Sequence, residues 1–178
     1  MSNPLAIRPV TAADHAAWRP LWDGYNAFYG RSGRTALPET ITRTTLARFL
    51  DPAEPVHGLV AERDGVLLGL AHYLFHRSTI QVEPNCYLQD LFTATEARGL
   101  GVGRALIERV YELAQSAGAP RVYWQTHESN ATAMQLLITP RPDGREIGLR
   151  GLPQAVLTPP HAAAMPERTR ALTSPNLT

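Results

Sequence analysis

The run RGLGVGR, from Arg98 to Arg104, stands between an apolar strand pattern at Tyr87 to Thr93 and an amphipathic helix pattern at Ala105 to Ala117. A strand that enters a glycine-rich turn and then a helix leaves several backbone N–H groups unpaired at one place, with the positive end of the helix dipole behind them. The glycines allow close backbone approach, and the two arginines can add charge-assisted hydrogen bonds. The run therefore predicts a phosphate site, and the alternative is an ordinary surface turn.

The spacing of the glycines excludes two common phosphate loops. A P-loop requires G-x-x-x-x-G-K-[ST], and no lysine follows these glycines. A dinucleotide fingerprint requires G-x-G-x-x-G, whereas Gly99 to Gly103 reads G-x-G-x-G. The predicted phosphate site therefore belongs to another type of loop.

The periodicity of the chain predicts an α/β or α+β sandwich with a mixed sheet flanked by helices. Leu5 to Val10 alternates like a short edge strand, and Asp64-Gly65 is a hairpin turn signal between two apolar runs. A second helix is predicted at Glu39 to Leu50. Because a strand, the glycine turn, a helix and the strand at Arg121 to Gln125 form a βαβ unit, those two strands are expected to be parallel.

Length and composition fit one compact domain. The chain has 178 residues, 44% of them hydrophobic, a formal net charge of +1 and a single cysteine, Cys86. This charge gives no reason to expect nucleic acid as a partner, and no apolar run reaches the ~20 residues of a membrane span. One cysteine excludes an internal disulfide, and the N-terminus lacks the pattern of a signal peptide, so we expect a cytoplasmic protein.

Three ordered blocks of the sequence resemble the GNAT superfamily of acyl-CoA N-acyltransferases. Arg98, Gly101 and Gly103 match its Q/R-x-x-G-x-G/A signature, and Tyr87 to Thr93 and Trp124 to Ala133 resemble the preceding strand and the following strand and helix. The resemblance implies a GNAT-like mixed sheet over residues 1–137. It also implies an N-acetyltransferase that uses acetyl-CoA as co-substrate and a small-molecule primary amine, polyamine-like or amino-acid-like, as acceptor.

The resemblance further implies the residues that bind the cofactor. Backbone groups of the strand before the loop pair with the pantetheine arm in this family, and Asn130 matches an asparagine near that arm, with N-capping of the next helix as its other role. The implied cofactor-binding residues are Leu91, Phe92, Thr93, Arg98, Gly99, Leu100, Gly101, Val102, Gly103, Arg104 and Asn130.

Asp90 is the candidate general base. The polyamine acetyltransferases, which this stretch resembles, carry a carboxylate where this chain has Gln89, and an amide accepts no proton usefully. Adjacent strand residues face opposite sides, so only one of Gln89 and Asp90 is expected in the acceptor site, and a structural role for Asp90 is equally open. The other candidates are Glu83, His127 and Glu128; His72 and His76 are interpreted as packing residues, Cys86 as a buried hydrophobe, and no metal site is predicted.

Aromatic residues recur at helical spacing in the first helix, from Trp18 to Tyr29. This stripe predicts a face packed in the core, and the alternative is that its end, from Tyr25 to Tyr29, walls an acceptor pocket.

The sequence departs from the family pattern after Leu136. Leu137 stands where the family usually has a tyrosine that protonates the thiolate, and residues 138–178 are rich in proline, arginine and alanine, which predicts a disordered tail. A reading-frame shift near codons 136 to 138 is our hypothesis for this change. The missing or divergent strands predict an impaired protein, or an open sheet edge that pairs with a second copy as a homodimer; a non-catalytic acyl-CoA-binding relative is the alternative function.

Overall fold

The computed structural model describes residues 3–127 and 147–152. Over this part of the chain one six-stranded sheet runs in the order β1-β2-β3-β4-β5-β6. The strands are β1 (Ala6–Pro9), β2 (Val56–Arg63), β3 (Val66–His76), β4 (Asn85–Thr93), β5 (Val122–His127) and β6 (Ile147–Leu152), and the helices are α1 (His15–Phe28), α2 (Glu39–Leu50) and α3 (Val102–Ser116).

The sheet is mixed, as the sequence predicts. Strands β1 to β4 pair in antiparallel order, while β4 with β5 and β5 with β6 are parallel. The predicted hairpin turn between β2 and β3 is confirmed: Asp64 has φ 51° and Gly65 has φ 78°, the positive values that a tight two-residue turn requires. The expected parallel βαβ unit, β4-α3-β5, is also confirmed.

Helices α1 and α3 pack on opposite faces of the sheet. A Cβ at Gly69 of β3 would lie 3.0 Å from Val102 of α3, whereas His72, three positions along the same strand, contacts Trp18 of α1. Because side chains alternate along a strand, these two positions face opposite sides. The sheet is thus the middle layer of a sandwich, with Trp18, Leu70 and Leu106 fully buried.

The first helix enters the fold through a capping box. Thr11 and Asp14 form the capping box of a short 3₁₀ turn, Ala12–Asp14, that leads directly into α1. Arg8 of β1 donates from Nη1 to Asp14 Oδ2 at 2.7 Å and from Nε to Glu62 Oε2 of β2 at 2.7 Å. This cluster ties the edge strand to both its neighbour and the helix start.

Several element bounds differ from the sequence prediction. Helix α3 begins at Val102 rather than Ala105, because Gly101 already occupies the N-cap position. Strand β4 begins two residues before Tyr87, where Asn85 pairs with His76 of β3. Within the segment expected to be disordered, 138–178, residues Ile147–Leu152 form β6 on β5, which offers a free row of backbone groups there; the rest of that segment lies outside the described residues.

Candidate active site

Strands β4 and β5 form a fork. They are paired only at Cys86 with Val122 and Tyr87 with Tyr123, whereas β5 stays paired with β6 as far as His127. From Leu88 onward, the edge of β4 that would face β5 is therefore open. A fork between parallel strands leaves backbone N–H and C=O groups free to pair with an inserted chain.

The residues of β4 that are predicted to bind the cofactor direct their backbone groups to two different sides of the strand. Phe92 is paired with Leu70 of β3, and its carbonyl oxygen lies 2.7 Å from a Cβ built on Gly69. Ala94 likewise donates its N–H to Leu68 O at 2.9 Å. Because successive residues of an antiparallel strand direct their backbone groups to alternate sides, Leu91 and Thr93 direct theirs to the fork. The backbone carbonyl of Phe92 faces β3 and not the fork. The ring of Phe92 packs against α1, since a Cβ built on Gly24 would lie 2.8 Å from it.

The glycine run forms the turn into α3. Gly99 has φ 76° and Gly101, the N-cap of the helix, has φ 82°, in the left-handed region that favours glycine. The first α-helical bond runs from Ala105 N–H to Gly101 O at 3.0 Å. The N–H groups of Val102, Gly103 and Arg104 precede that bond and have no helical acceptor.

Three side chains of the run are exposed around this helix start, those of Arg98, Leu100 and Arg104. Arg98 and Arg104 have exposed side chains, and Leu100 is 57% exposed. Such a surface offers amide hydrogens, two guanidinium groups and the positive end of a helix dipole to a ligand outside the fold. Asn130, which the sequence adds to this set, lies outside the described residues.

A cavity of about 340 Å³ lies beside β4, between α1 and α2. Both Gln89 and Asp90 line it, although strict alternation along a strand would place only one of them there. The reason is a bulge: His72 pairs with Asp90 and Tyr73 with Leu88, which leaves Gln89 as an extra residue that breaks the alternation.

Asp90 is a buried carboxylate held by two hydrogen-bond donors. His72 Nδ1 lies 2.9 Å from Asp90 Oδ2, with the two side chains 3% and 8% exposed. Trp18 Nε1 donates to His72 Nε2 at 3.2 Å. An indole N–H is only a donor, so Nε2 is an acceptor, and the network assigns the His72 proton to Nδ1, which donates it to Asp90. The Tyr25 hydroxyl also hydrogen-bonds to Asp90.

The phenols around Asp90 stay neutral. Burial, followed by the negative charge of Asp90, raises the pKa of Tyr25 far above its usual range and also raises the pKa of Tyr29 and Tyr87. A phenol in such a site donates a hydrogen bond and does not give up its proton. Tyr25, Tyr29 and Tyr87 are therefore not candidates for a group that accepts a proton.

Three other residues that the sequence analysis names, Glu83, His76 and Cys86, do not line this cavity. Glu83 is exposed, and the His76 ring accepts from or donates to the Tyr123 hydroxyl at 2.8 Å. Cys86 is buried, and burial raises the pKa of its thiol to about 12, which confirms its interpretation as a buried hydrophobe. The side chain of His127 and all of Glu128 lie outside the described residues.

Over the described residues, no group of three or more histidine, cysteine and carboxylate side chains has the arrangement of a metal site. No helix in the same part of the chain has the length and apolar character needed to cross a bilayer.

Two polar side chains of the cavity are not anticipated as functional residues by the sequence. His72 was interpreted as a packing residue, and Arg31 lies in a stretch that reads as a loop, yet both line the cavity with Asp90. From α1 the cavity is lined by Trp22, a member of the aromatic stripe, and by Asn26, one turn further along the same helix face. Tyr25, Phe28 and Tyr29 are not among its lining residues, so a pocket-wall role for the aromatic end of α1 stays a prediction.

A mixed sheet with a fork between parallel strands, an amide-rich helix start after β4 and a buried carboxylate beside the fork is the architecture that the resemblance to acyl-CoA acyltransferases implies. The model of the acetyltransferase (GNAT) family matches residues 18–137. The chain belongs to this family, and it is an acyltransferase of the N-acetyltransferase type.

Relatives and solved structures agree with this assignment. The D-amino-acid N-acetyltransferase HPA3 of Saccharomyces cerevisiae is 38% identical over 141 residues, which cover 78% of this chain and 84% of that protein. An aminoglycoside acetyltransferase, meta-AAC0020, from an uncultured soil metagenomic sample has the same fold with a TM-score of 0.66 and 18% identity, covering 83% of this chain and 94% of the other. The aminoglycoside N-acetyltransferase AAC(6')-Iy, solved in complex with CoA, gives a TM-score of 0.64 at 19% identity, covering 76% and 85% of the two chains.

Proposed function

We propose that this protein transfers the acetyl group of acetyl-CoA to the primary amine of a small molecule, with Asp90 as the group that accepts the amine proton. The observation that carries the proposal is the position of Asp90. It lines the cavity and lies in the stretch of β4 whose edge is open to the fork. An amine in the cavity and a thioester in the fork would therefore meet beside this carboxylate.

The described residues fit coenzyme A as a ligand. The fork offers the backbone groups of Leu91 and Thr93 to an amide-containing arm, and the turn from Arg98 to Arg104 offers amide hydrogens and guanidinium groups to a diphosphate. When bound there, acetyl-CoA supplies the activated acetyl group. Asn130 stays a prediction as a further cofactor residue.

Asp90 would act by removing a proton from the acceptor. Primary amines are mostly protonated at neutral pH, and an ammonium has no lone pair for attack on a thioester. Asp90 can bind that ammonium and take its proton, directly or through a water. His72 and Tyr25 donate hydrogen bonds to the carboxylate, which keeps its oxygens oriented towards the cavity.

Two acceptor classes follow from the sequence, amino-acid-like and polyamine-like amines. The name of the yeast relative, a D-amino-acid N-acetyltransferase, supports the first. The departing thiolate needs a proton, and with leucine at position 137 we propose that water supplies it.

Substitution of Asp90 by asparagine tests the proposal. Asparagine keeps the shape of the side chain but accepts no proton, so we expect D90N to lower kcat by about 10²- to 10⁴-fold. The affinity of D90N for coenzyme A, measured by calorimetry, should stay within about twofold of the wild-type value, because Asp90 does not belong to the predicted diphosphate-binding turn, Arg98 to Arg104. The exposed Asp23, also changed to asparagine, is the matched control and should keep wild-type turnover.

The measurement is coenzyme A release from acetyl-CoA with a panel of amines. Full activity of folded D90N would show that Asp90 is not the proton acceptor. Coenzyme A binding without turnover of any amine would instead support the alternative, a non-catalytic acyl-CoA-binding relative.

A further inference from the structure

We infer that the acceptor carries a carboxylate beside its amine and that the Arg31 guanidinium binds this carboxylate, which makes Arg31 the residue that selects amino acids over polyamines. The inference rests on the proposed function of the cavity as the acceptor site. Its starting observation is that Arg31 and Asp90, with opposite charges, line the same cavity.

Arg31 is held in place from one side only. Its Nε donates to Asn26 Oδ1 at 2.7 Å, and its backbone N–H donates to Asn26 O at 2.9 Å. Asn26 is itself fixed, since its Nδ2 donates to Trp22 O at 2.8 Å within α1. This orientation uses Nε and leaves the terminal nitrogens, Nη1 and Nη2, for another partner.

No internal carboxylate occupies those terminal nitrogens in the described part of the chain. The ion pairs of residues 3–127 join other arginines, such as Arg8, Arg19 and Arg48, to acidic side chains. The planar fork of a guanidinium matches the two oxygens of a carboxylate. Arg31 is therefore a pre-oriented cation with the geometry to bind one.

Two tyrosine rings connect this cation to the proposed base. The Arg31 guanidinium carbon lies 5.8 Å from the Tyr25 ring centroid and 5.4 Å from that of Tyr29. The hydroxyl of Tyr25 hydrogen-bonds to Asp90. Tyr25 thus lies between a positive and a negative group, an arrangement that complements the carboxylate and ammonium of an amino acid.

The charge of the cavity disfavours a polyamine. Its described lining contains Arg31 and Arg48 against Asp90, and Arg48 is only partly neutralised by Glu54, at 3.7 Å. A polyamine with one ammonium at Asp90 would place a second ammonium near Arg31, which has no ion-pair partner among the described residues, and this is repulsive. An acceptor with one ammonium and one carboxylate meets opposite charges at both ends.

The test compares acceptors with and without a carboxylate. Phenylalanine, in its D and L forms, is assayed against phenylalaninamide and against spermidine, with coenzyme A release as the readout. For the preferred enantiomer we expect the wild type to show a kcat/KM at least about 10-fold above that of the amide, because a site built for a charged partner rejects an analogue that lacks it. Spermidine should be a poorer acceptor than phenylalanine.

Arg31→Gln should remove this preference. We expect kcat/KM for phenylalanine to fall about 10- to 100-fold while that for the amide changes little, so that the ratio of the two approaches one. Arg31→Lys keeps the charge without the planar fork and should give an intermediate ratio. The matched control is Arg34→Gln, three residues along the same loop and exposed, which should keep the wild-type ratio.

The ratio separates a recognition role from a structural one. A loss of folding in R31Q would lower both substrates equally, and an unchanged ratio in either folded Arg31 variant would overturn the inference. Preference of the wild type for spermidine or for the amide would overturn it while leaving the proposed transferase intact. Coenzyme A binding with no turnover of any amine would overturn the proposed function and this inference together.

Discussion

At the scale of single residues, the surroundings of Asp90 are built from side chains distant in sequence. The strand pattern identifies Asp90 as a candidate base, but its partners His72 and Tyr25 come from β3 and α1. No local pattern marks a histidine that pairs with a carboxylate on another strand. The alternation rule failed at Gln89 because a bulge depends on the register of two strands, which one strand's sequence does not contain.

Trp18→Phe tests the tautomer assigned to His72. Phenylalanine keeps an aromatic ring in the core but removes the N–H that satisfies His72 Nε2, a buried acceptor. We expect the free energy of unfolding to fall by about 1–3 kcal/mol, from the unsatisfied acceptor together with the lost ring volume. Urea denaturation measures the change.

Trp22→Phe is the matched control. It removes the same part of an indole ring, but its N–H partner, Thr42 at 3.3 Å, has a hydroxyl that can rotate to another neighbour. The loss should be smaller than for W18F by about 1 kcal/mol. An equal loss in both variants would contradict the importance of the bond to His72.

At the scale of elements, the sequence predicts type better than bounds. Helix α2 has the predicted limits, Glu39–Leu50, because the helix period and the prolines around it act locally. The start of α3 is earlier than predicted because a left-handed glycine at the N-cap adds a turn that contributes little apolar pattern. The glycine run was predictable as the turn that starts a helix, and its role as a phosphate site stays a prediction.

Gly101→Ala tests the role of backbone conformation at that helix start. An added Cβ meets nothing within 4 Å, so the cost arises from φ 82° and not from a clash. We expect about 1–2 kcal/mol of destabilisation, from the penalty of the left-handed region. The affinity for coenzyme A should also fall, because relief of the strain would move the amide groups of the predicted diphosphate-binding turn. Thermal unfolding and calorimetry with coenzyme A measure the two effects.

Gly118→Ala provides the control at the other end of α3. Gly118 has φ 70° and also open space around an added Cβ, so its alanine variant should be destabilised to a similar degree. It lies a full helix length from the glycine run and should bind coenzyme A with wild-type affinity. Equal affinities for coenzyme A in both variants would contradict the proposal that the turn from Arg98 to Arg104 binds its diphosphate.

At the scale of the whole molecule, the topology was predictable in part. The hairpin signal predicted the antiparallel β2–β3 pair and the βαβ unit predicted the parallel β4–β5 pair, whereas β6 lies in a segment where proline-rich composition predicted disorder. That prediction missed a strand whose partner is the free edge of β5, because edge pairing is a tertiary effect. The reading-frame hypothesis stays a prediction that gene sequencing would test; the family match ends at residue 137.

The Arg8 cluster predicts how the molecule responds to acid. Hydrogen bonds from Arg8 hold the pKa of Asp14 well below its ordinary value of 3.8, against the opposing effect of burial. The folded state therefore binds this proton less readily than the unfolded state does. The resulting stabilisation is fully present above about pH 5 and is lost as the pH falls below the ordinary value.

Asp14→Asn should remove this contribution. We expect the wild type to lose stability more steeply than D14N when unfolding is followed from pH 6 to pH 3 by circular dichroism. Asp64→Asn, at the exposed hairpin turn, should follow the wild type. Parallel curves for the wild type and D14N would show that the cluster does not link the edge strand to acid stability.

The last paired rung of the fork has an optical consequence. Tyr87 and Tyr123 are stacked there, with ring centroids 5.0 Å apart and planes inclined by 28°. Two phenol chromophores at this separation couple electronically, and their signal depends on the angle between the strands that carry them. A ligand that binds between those strands would change this angle. Near-ultraviolet circular dichroism can therefore detect a ligand in the fork without any added label.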